Sequence, residues 1–242
     1  MAFYEQISKY YDYIFPVGTE QLKFIIESAG APPKRILDVA CGSGGYSAAL
    51  AEEGYELTSV DNDSEMIRLA KEKAANKGLD TYALQCDMLQ LESCLETRFD
   101  CIFCIGNSIV HLENHLAIEN TLEQMHALLE EGGRLVLQII NYDRIIKYNI
   151  KELPAIENEE IGLRFVRNYE YNKDRNVIYF NTELTISNEE KYENSIELLP
   201  LLRAQMEDLL KRAGFGRYQF YGDFKRSAYD DNAYMLVVEA KK

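Results

Sequence analysis

Residues 35–61 read RILDVACGSGGYSAALAEEGYELTSVD, and this stretch decides the fold. Ile36, Leu37, Val39 and Ala40 form a short apolar run, interrupted by Asp38, that ends at Gly42-Ser43-Gly44-Gly45. A helical pattern with Tyr46, Ala49 and Leu50 follows and stops at Gly54, and residues 56–60 then read as a second strand with Asp61 at its tip. Strand, glycine turn, helix, strand and acid make a βαβ unit, whose crossover handedness sets the two strands parallel. Such a unit binds a nucleoside-containing ligand at the C-terminal ends of its strands.

Two residues decide between nucleosides. The dinucleotide fingerprint asks for a third small residue, Gly or Ala, where the helix packs on the strand, and Ser47 stands there. Asp38 says more. A carboxylate in a buried parallel strand costs several kcal/mol, of that order, unless a cation or hydrogen-bond donors compensate it. Upstream of Gly42 it repels a pyrophosphate settling on the glycine turn and suits a ligand that brings an ammonium and a sulfonium there. S-adenosylmethionine carries both, together with a ribose diol for Asp61 to accept from.

The string Leu37-Asp38-Val39-Ala40-Cys41-Gly42-Ser43-Gly44 resembles the first motif of the class I S-adenosylmethionine-dependent methyltransferases, and Ser59-Val60-Asp61 the second. Further on, CIGNSIVHL from Cys104 to Leu112 is similar to the corresponding stretch of the glycine N-methyltransferases, and Asn141-Tyr142-Asp143 repeats that likeness. The resemblance implies an α/β fold: a Rossmann-like seven-stranded methyltransferase sheet with an antiparallel β-rich insert after the fifth strand. It divides the chain into an N-terminal helical cap (1–34), the methyltransferase domain (35–142 and 200–242) and a substrate-covering insert (143–199).

The same resemblance assigns S-adenosylmethionine as cofactor, with Asp38, Ala40, Gly42, Gly44 and Asp61 around its methionine and ribose. Asn62 and Met66 would border the adenosine. Asp87 would take the adenine amino group, and the backbone N–H of Met88 a ring nitrogen. Ile105 would contact the cofactor through its backbone, with Gly106 and Asn107 as further site candidates, and His111 would lie against it; His111 and the N-terminal tyrosines are nearest to a general base. The family's arginine just before the Asn-Tyr-Asp string, which holds a substrate carboxylate, is here Ile140. An aliphatic wall replaces a charge clamp, and glycine as acceptor is in doubt unless another arginine substitutes.

Composition bounds the rest. The 242 residues suit one large α/β domain or a domain with an insert, and 47% apolar content is that of a globular chain. A net charge of −14 with no basic run argues against a nucleic-acid substrate, because phosphate neutralisation dominates such affinity. Polar and aromatic residues follow Met1 directly, and no apolar stretch approaches membrane-spanning length, so a cytoplasmic location and no membrane partner are expected. Five cysteines, irregularly spaced, fit reduced core thiols; Cys101 and Cys104 sit in a strand where positions i and i+3 face opposite ways. His111 and His115 lack the zincin spacing, so no metal is expected.

Residues 3–15, FYEQISKYYDYIF, place aromatics at mostly helical spacing. By resemblance Tyr4, Tyr10 and Tyr11 are candidates to close over the cofactor, where an aromatic face attracts a sulfonium by ~1–2 kcal/mol. Helices are expected over 19–29, from a Ser64 cap to Lys77, over 116–130, and from Pro200 to Gly214. Residues 134–140 read as the fifth strand, 157–162 as a polar loop, and 216–221 with 234–240 as a closing pair of strands. Alternation at Ile178, Phe180, Thr182, Leu184 and Ile186 marks antiparallel strands with one wet face. Tyr169, Tyr171, Tyr179 and Arg164, Arg167, Arg175 offer aromatic and cationic groups to an acceptor, though each also suits an ordinary sheet surface. The residues are compatible with N-methylation of a small amine, O-methylation of a hydroxylated metabolite, or a noncatalytic S-adenosylmethionine-binding protein.

Overall fold

In the computed structural model, which describes residues 7–187 and 190–242, the apolar runs become the strands of one twisted sheet. β1 (Arg35–Val39), β2 (Glu56–Asp61), β3 (Thr81–Gln85), β4 (Phe99–Cys104) and β5 (Leu129–Ile140) run parallel. β6 (Glu152–Asn158), β7 (Leu163–Asn172), β8 (Val177–Ile186) and β9 (Glu190–Leu198) follow, then β10 (Arg217–Tyr221) and β11 (Met235–Lys241). Among the described residues they form a seven-stranded sheet ordered β10-β11-β5-β4-β1-β2-β3 and a separate four-stranded antiparallel sheet ordered β6-β7-β8-β9. The Rossmann-like sheet and the antiparallel insert after its fifth strand are those the sequence anticipates.

Helices cover both faces of the larger sheet, which is why its strands are apolar on both sides. α1 (Thr19–Ala29) and α2 (Gly45–Glu52) bring Phe24, Ile25 and Leu50 against Ile36, Cys101, Phe103, Val136 and Val237. α3 (Ser64–Lys77) packs Ile67 and Ala70 against Ala83 of β3. α4 (His115–Leu128) brings Ile118, Leu122 and Met125 to the opposite face, onto Leu37, Val39, Ile102, Cys104 and Leu137. After the short α5 (Tyr142–Lys147), α6 (Arg203–Arg212) joins that core through Met206, Leu209 and Leu210. Cys101 and Cys104 thus lie in cores on opposite sides of one strand, both as unpaired thiols whose pKa burial pushes up to about 12.

Several boundaries differ from the sequence expectation, each for a local reason. The cap of α3 is Asp63, whose carboxylate accepts from the N–H of Glu65 and Met66, so Ser64 is already inside the helix. α4 closes at Leu128, because strand pairing takes the chain from Leu129, where Phe99 is its partner. α6 begins at Arg203, with the Gln205 side chain accepting from the N–H of Leu202; Pro200 precedes it in extended chain. The polar loop shrinks to the turn at Glu159–Gly162, since residues before it form edge strand β6. The expectation of five reduced thiols also fails. Cys86 and Cys94 form a disulfide around the turn that follows β3, which apolar burial of Cys86 did not announce.

Residues 3–6 of the aromatic N-terminal segment, Tyr4 among them, lie outside the described residues. The remainder is a 3-10 turn (Ser8–Tyr10) and a short helix (Tyr11–Ile14) ahead of Pro16. Ile7 and Ile14 are buried against Leu163, Phe165, Leu184 and Ile186 of the antiparallel sheet. No helix among the described residues is long and apolar enough to cross a membrane.

Candidate active site

Strand order reverses at β1, which pairs with β2 on one side and β4 on the other, and the crevice opens at the C-terminal ends of these strands. The turn after β1 needs left-handed backbone at Ala40 (φ 60), Gly42 (φ 53) and Gly44 (φ 74). Ala40 adopts it despite its Cβ, at a cost of order 1–2 kcal/mol. Glycine is required at the other two for room as well. A Cβ on Gly44 would lie 2.7 Å from Cβ of Ala70 in α3, and one on Gly42 would press on the Tyr11 ring and hydroxyl.

Two carboxylates flank this turn. Asp38 is 3% exposed and accepts from Oγ of Ser47 at 2.7 Å, and Ser59 donates to that same hydroxyl at 2.7 Å. The residue that breaks the dinucleotide fingerprint is therefore the neutral donor for the buried acid. Burial, opposed by Ser47 and reinforced by the charge of Asp61, pushes the Asp38 carboxyl up to about 7. Asp61 at the tip of β2 accepts from the N–H of Gly42 at 2.8 Å and of Asp63 at 2.9 Å, while burial raises its pKa. Lys73 Nζ reaches Oγ of Ser43 at 3.0 Å and Asp12 at 2.8 Å on the far side of the loop. The pocket beside Asp38 and Asp61 is accordingly electronegative and disfavours a diphosphate.

The tip of β3 is joined to that of β2 by the N–H of Cys86 donating to Asp61 O at 2.9 Å, which brings Asp87 beside Asp61. One oxygen of Asp87 accepts from Leu89 N at 2.9 Å, so part of its capacity closes its own turn. Met88 is half-buried against the core. Asn62 is exposed, and its carbonyl accepts from the Gln85 side chain at 2.8 Å. Met66 is buried in α3 and presents no surface to the crevice.

The segment after β4 is tied to β5. Gly106 N donates to the Gln138 side chain at 2.8 Å, and Ser108 caps the carbonyl of Ile105 at 3.0 Å. Asn107, at φ 70, accepts from Ile140 N at 3.0 Å and donates to Oη of Tyr142 at 2.9 Å. His111 ends a 3-10 turn, and burial lowers its pKa, which leaves a neutral imidazole at neutral pH. Among the described residues no cluster of three metal-ligating side chains occurs. Over the glycine turn, the ring of Tyr11 lies on Gly42 and Asp12 takes a hydrogen bond from Ser43. Tyr10 turns away and donates to Glu190 at 3.1 Å.

The structure gathers Tyr11, Asp38, Ala40, Gly42, Gly44 and Asp61 around one turn, with Ile105 and Gly106 following the neighbouring strand β4. Sequence reasoning missed Ser47 as a donor, Gln138 as the clamp on Gly106, and Tyr142 as the partner of Asn107. A hydroxyl on the first turns of the helix after a buried strand acid was a readable signal for Ser47. Gln138 and Tyr142 carried none, because their partners are set by pairing of β4 with β5.

A family model described as a methyltransferase domain matches residues 36–133. The chain is 30% identical over 222 residues to a glycine/sarcosine N-methyltransferase of Aphanothece halophytica, covering 86% of this chain and 76% of that protein. It is 29% identical over 229 residues to a glycine/sarcosine N-methyltransferase of Halorhodospira halochloris, covering 90% and 79%. The crystal structure of an S-adenosylmethionine-dependent methyltransferase from Clostridium acetobutylicum superposes with a TM-score of 0.81 over 98% of both chains at 16% identity, a likeness of fold.

Proposed function

Because the chain belongs to the class I S-adenosylmethionine-dependent methyltransferases of the glycine N-methyltransferase-like type, we propose that it N-methylates a small amine. S-adenosylmethionine is the cofactor, and it supplies an electrophilic methyl group on a sulfonium. The observation that carries the reading is the pair of carboxylates, Asp38 and Asp61, held against a glycine turn with no cation of the chain hydrogen-bonded to either among the described residues. Their environment favours a ligand with positive charge at that turn.

In this reading Asp61 accepts hydrogen bonds from a ribose and Tyr11 covers the glycine turn, excluding water and adding an aromatic face. The backbone at Ile105 and Gly106, fixed by Gln138, forms the opposite wall. In-line displacement asks the protein mainly for alignment, and a proton must leave only if the acceptor arrives as an ammonium. His111, kept neutral by its surroundings, is the group on hand to take it.

Incubation with methyl-labelled cofactor and a panel of small amines and hydroxylated metabolites tests the proposal. Label on nitrogen is the expected result. Label on oxygen, or cofactor binding with no transfer to any small molecule, would overturn it.

A further inference from the structure

The side of the crevice formed by β3 carries a covalent tie. Cys86, at the tip of that strand, is bonded to Cys94, eight residues on, with their Cα atoms 6.4 Å apart. The bond closes a small ring of chain that contains Asp87 and Met88. Within the ring a 3-10 turn (Met88–Gln90) runs into a single helical turn (Leu91–Cys94). Cys86 is buried, and its N–H donates to the carbonyl of Asp61 at 2.9 Å, so one end of the ring is fixed to β2. Cys94 is half-buried and is the end that a small thiol can approach.

Other ties grip the far part of this ring. Leu91 and Leu95 are buried in the core. The Gln124 side chain of α4 accepts from the N–H of Glu92 at 3.1 Å and donates to the carbonyl of Leu89 at 2.9 Å. Asp87, by contrast, bonds only within its own turn, through its carboxylate to Leu89 N at 2.9 Å and its carbonyl to Gln90 N at 2.8 Å. The disulfide is thus the restraint that ties the Asp87-Met88 corner across to the end of the helical turn. The remaining cysteines, Cys41, Cys101 and Cys104, are free thiols. Burial pushes Cys101 and Cys104 up to about 12 and raises Cys41 as well, so none offers a thiolate to this pair at neutral pH.

We propose that the Cys86–Cys94 bond is a redox control on cofactor affinity: S-adenosylmethionine binds tightly while the bond is closed and more weakly once a dithiol has reduced it. This rests on the reading of the crevice as the cofactor site, with Asp87 and Met88 at its adenine edge. In the opening step a thiolate of the dithiol attacks Sγ of Cys94, the S–S bond breaks, and its electron pair leaves on Sγ of Cys86, which takes up a proton. The second thiol of the reductant then displaces Cys94 from the mixed disulfide. Two electrons and two protons pass to the cysteines, and the dithiol leaves as its own disulfide. With the bond closed, Asp87 and Met88 are ordered before the cofactor arrives; with it open, the cost of ordering them falls on binding. Leu91, Leu95 and Gln124 keep the surrounding fold in place in both states.

The test is calorimetric titration of S-adenosylmethionine into the full chain, oxidised with glutathione disulfide or reduced with dithiothreitol, for wild type and Cys94→Ser. Alkylation under denaturing conditions fixes the redox state, with three cysteines labelled in the oxidised chain and five in the reduced one. Reduction should raise the Kd by roughly 5- to 30-fold, the equilibrium worth of fixing the backbone of one residue, and reoxidation should restore it. Cys94→Ser should sit at the reduced value and ignore dithiothreitol. Cys94→Ala serves in its place if the serine variant unfolds. A staple with a purely structural role would lower the unfolding temperature on reduction and leave the Kd of the folded chain where it was. The control is overturned if the oxidised chain labels at all five cysteines, if the two states bind alike, or if Cys94→Ser still responds to dithiothreitol. Failure to bind the cofactor in either state would instead sink the reading of the crevice, and the control with it.

Discussion

At the glycine turn Asp38 is held by Ser47, and Asp61 by the N–H groups of Gly42 and Asp63. Across the crevice, on the antiparallel sheet, Arg167, Asn194 and Tyr169 each keep a buried atom without a partner among the described residues. The first region builds an excess of negative charge and satisfies it locally with neutral donors. The second builds an excess of donors and satisfies them with nothing nearby. A buried acid with a hydroxyl partner has a neutral form to fall back on before a cation arrives, whereas a buried open donor has none.

The strongest way to break the comparison is at the turn itself. Gly44→Ala adds a Cβ 2.7 Å from Ala70 at a residue with φ 74. Strain and overpacking together should lower the unfolding free energy by about 3–5 kcal/mol. Gly78→Ala, where the backbone is left-handed in the same way (φ 65, ψ 30) and the Cβ meets nothing within 4 Å, isolates the backbone share at about 1–2 kcal/mol. Urea unfolding of the pair checks both.

The next effect is a pH slope. Burial lifts the Asp38 carboxyl from the ordinary 3.8 to about 7 in the folded chain, so its contribution to stability is full below about pH 4 and is lost as pH rises through 7. For cofactor-free protein this is a decline on the order of 4 kcal/mol over that span, and Asp38→Asn should remove it. Unfolding curves of both proteins from pH 4 to 8 decide the matter; parallel curves would mean that Asp38 is ionised in its folded setting.

Asp61→Ala should weaken S-adenosylmethionine by about 1.5–3 kcal/mol, the value of hydrogen bonds to a charged group, as read by calorimetry. The smallest effect sharpens the contrast most. Removing the unpartnered hydroxyl by Tyr169→Phe should leave stability within about 0.5 kcal/mol of wild type or slightly above it, while Ser47→Ala, which strips Asp38 of its donor, should cost about 1–3 kcal/mol. Equal losses in the two variants would erase the distinction between the regions.

The same difference explains what could be read from the chain. The cofactor end is local in sequence: Asp38, Gly42, Gly44 and Asp61 fall within one βαβ unit, and residue type with spacing is enough to place them. The row on the antiparallel sheet is not. Arg164, Arg167 and Arg175 look alike in sequence, yet Arg164 pairs with Glu157 at 3.2 Å and Arg175 with Glu197 at 2.7 Å, both on the exposed side. Arg167 is set apart by its phase in β7 and by its opposite numbers on β8 and β9, which only the sheet's register supplies. Helix ends were off by one to three residues where a side-chain cap or a strand partner overrode the pattern, as at Asp63, Leu128 and Arg203. The Cys86–Cys94 bond escaped because an odd cysteine count gives no pairing.

The short helix Tyr11–Ile14 and the residue after it reach both regions at once: Tyr11 rests on Gly42, and Phe15 leans on Phe165. One turn of chain thus spans both regions, so a substitution that shifts it would be felt at the glycine loop and on the interior strand β7 together.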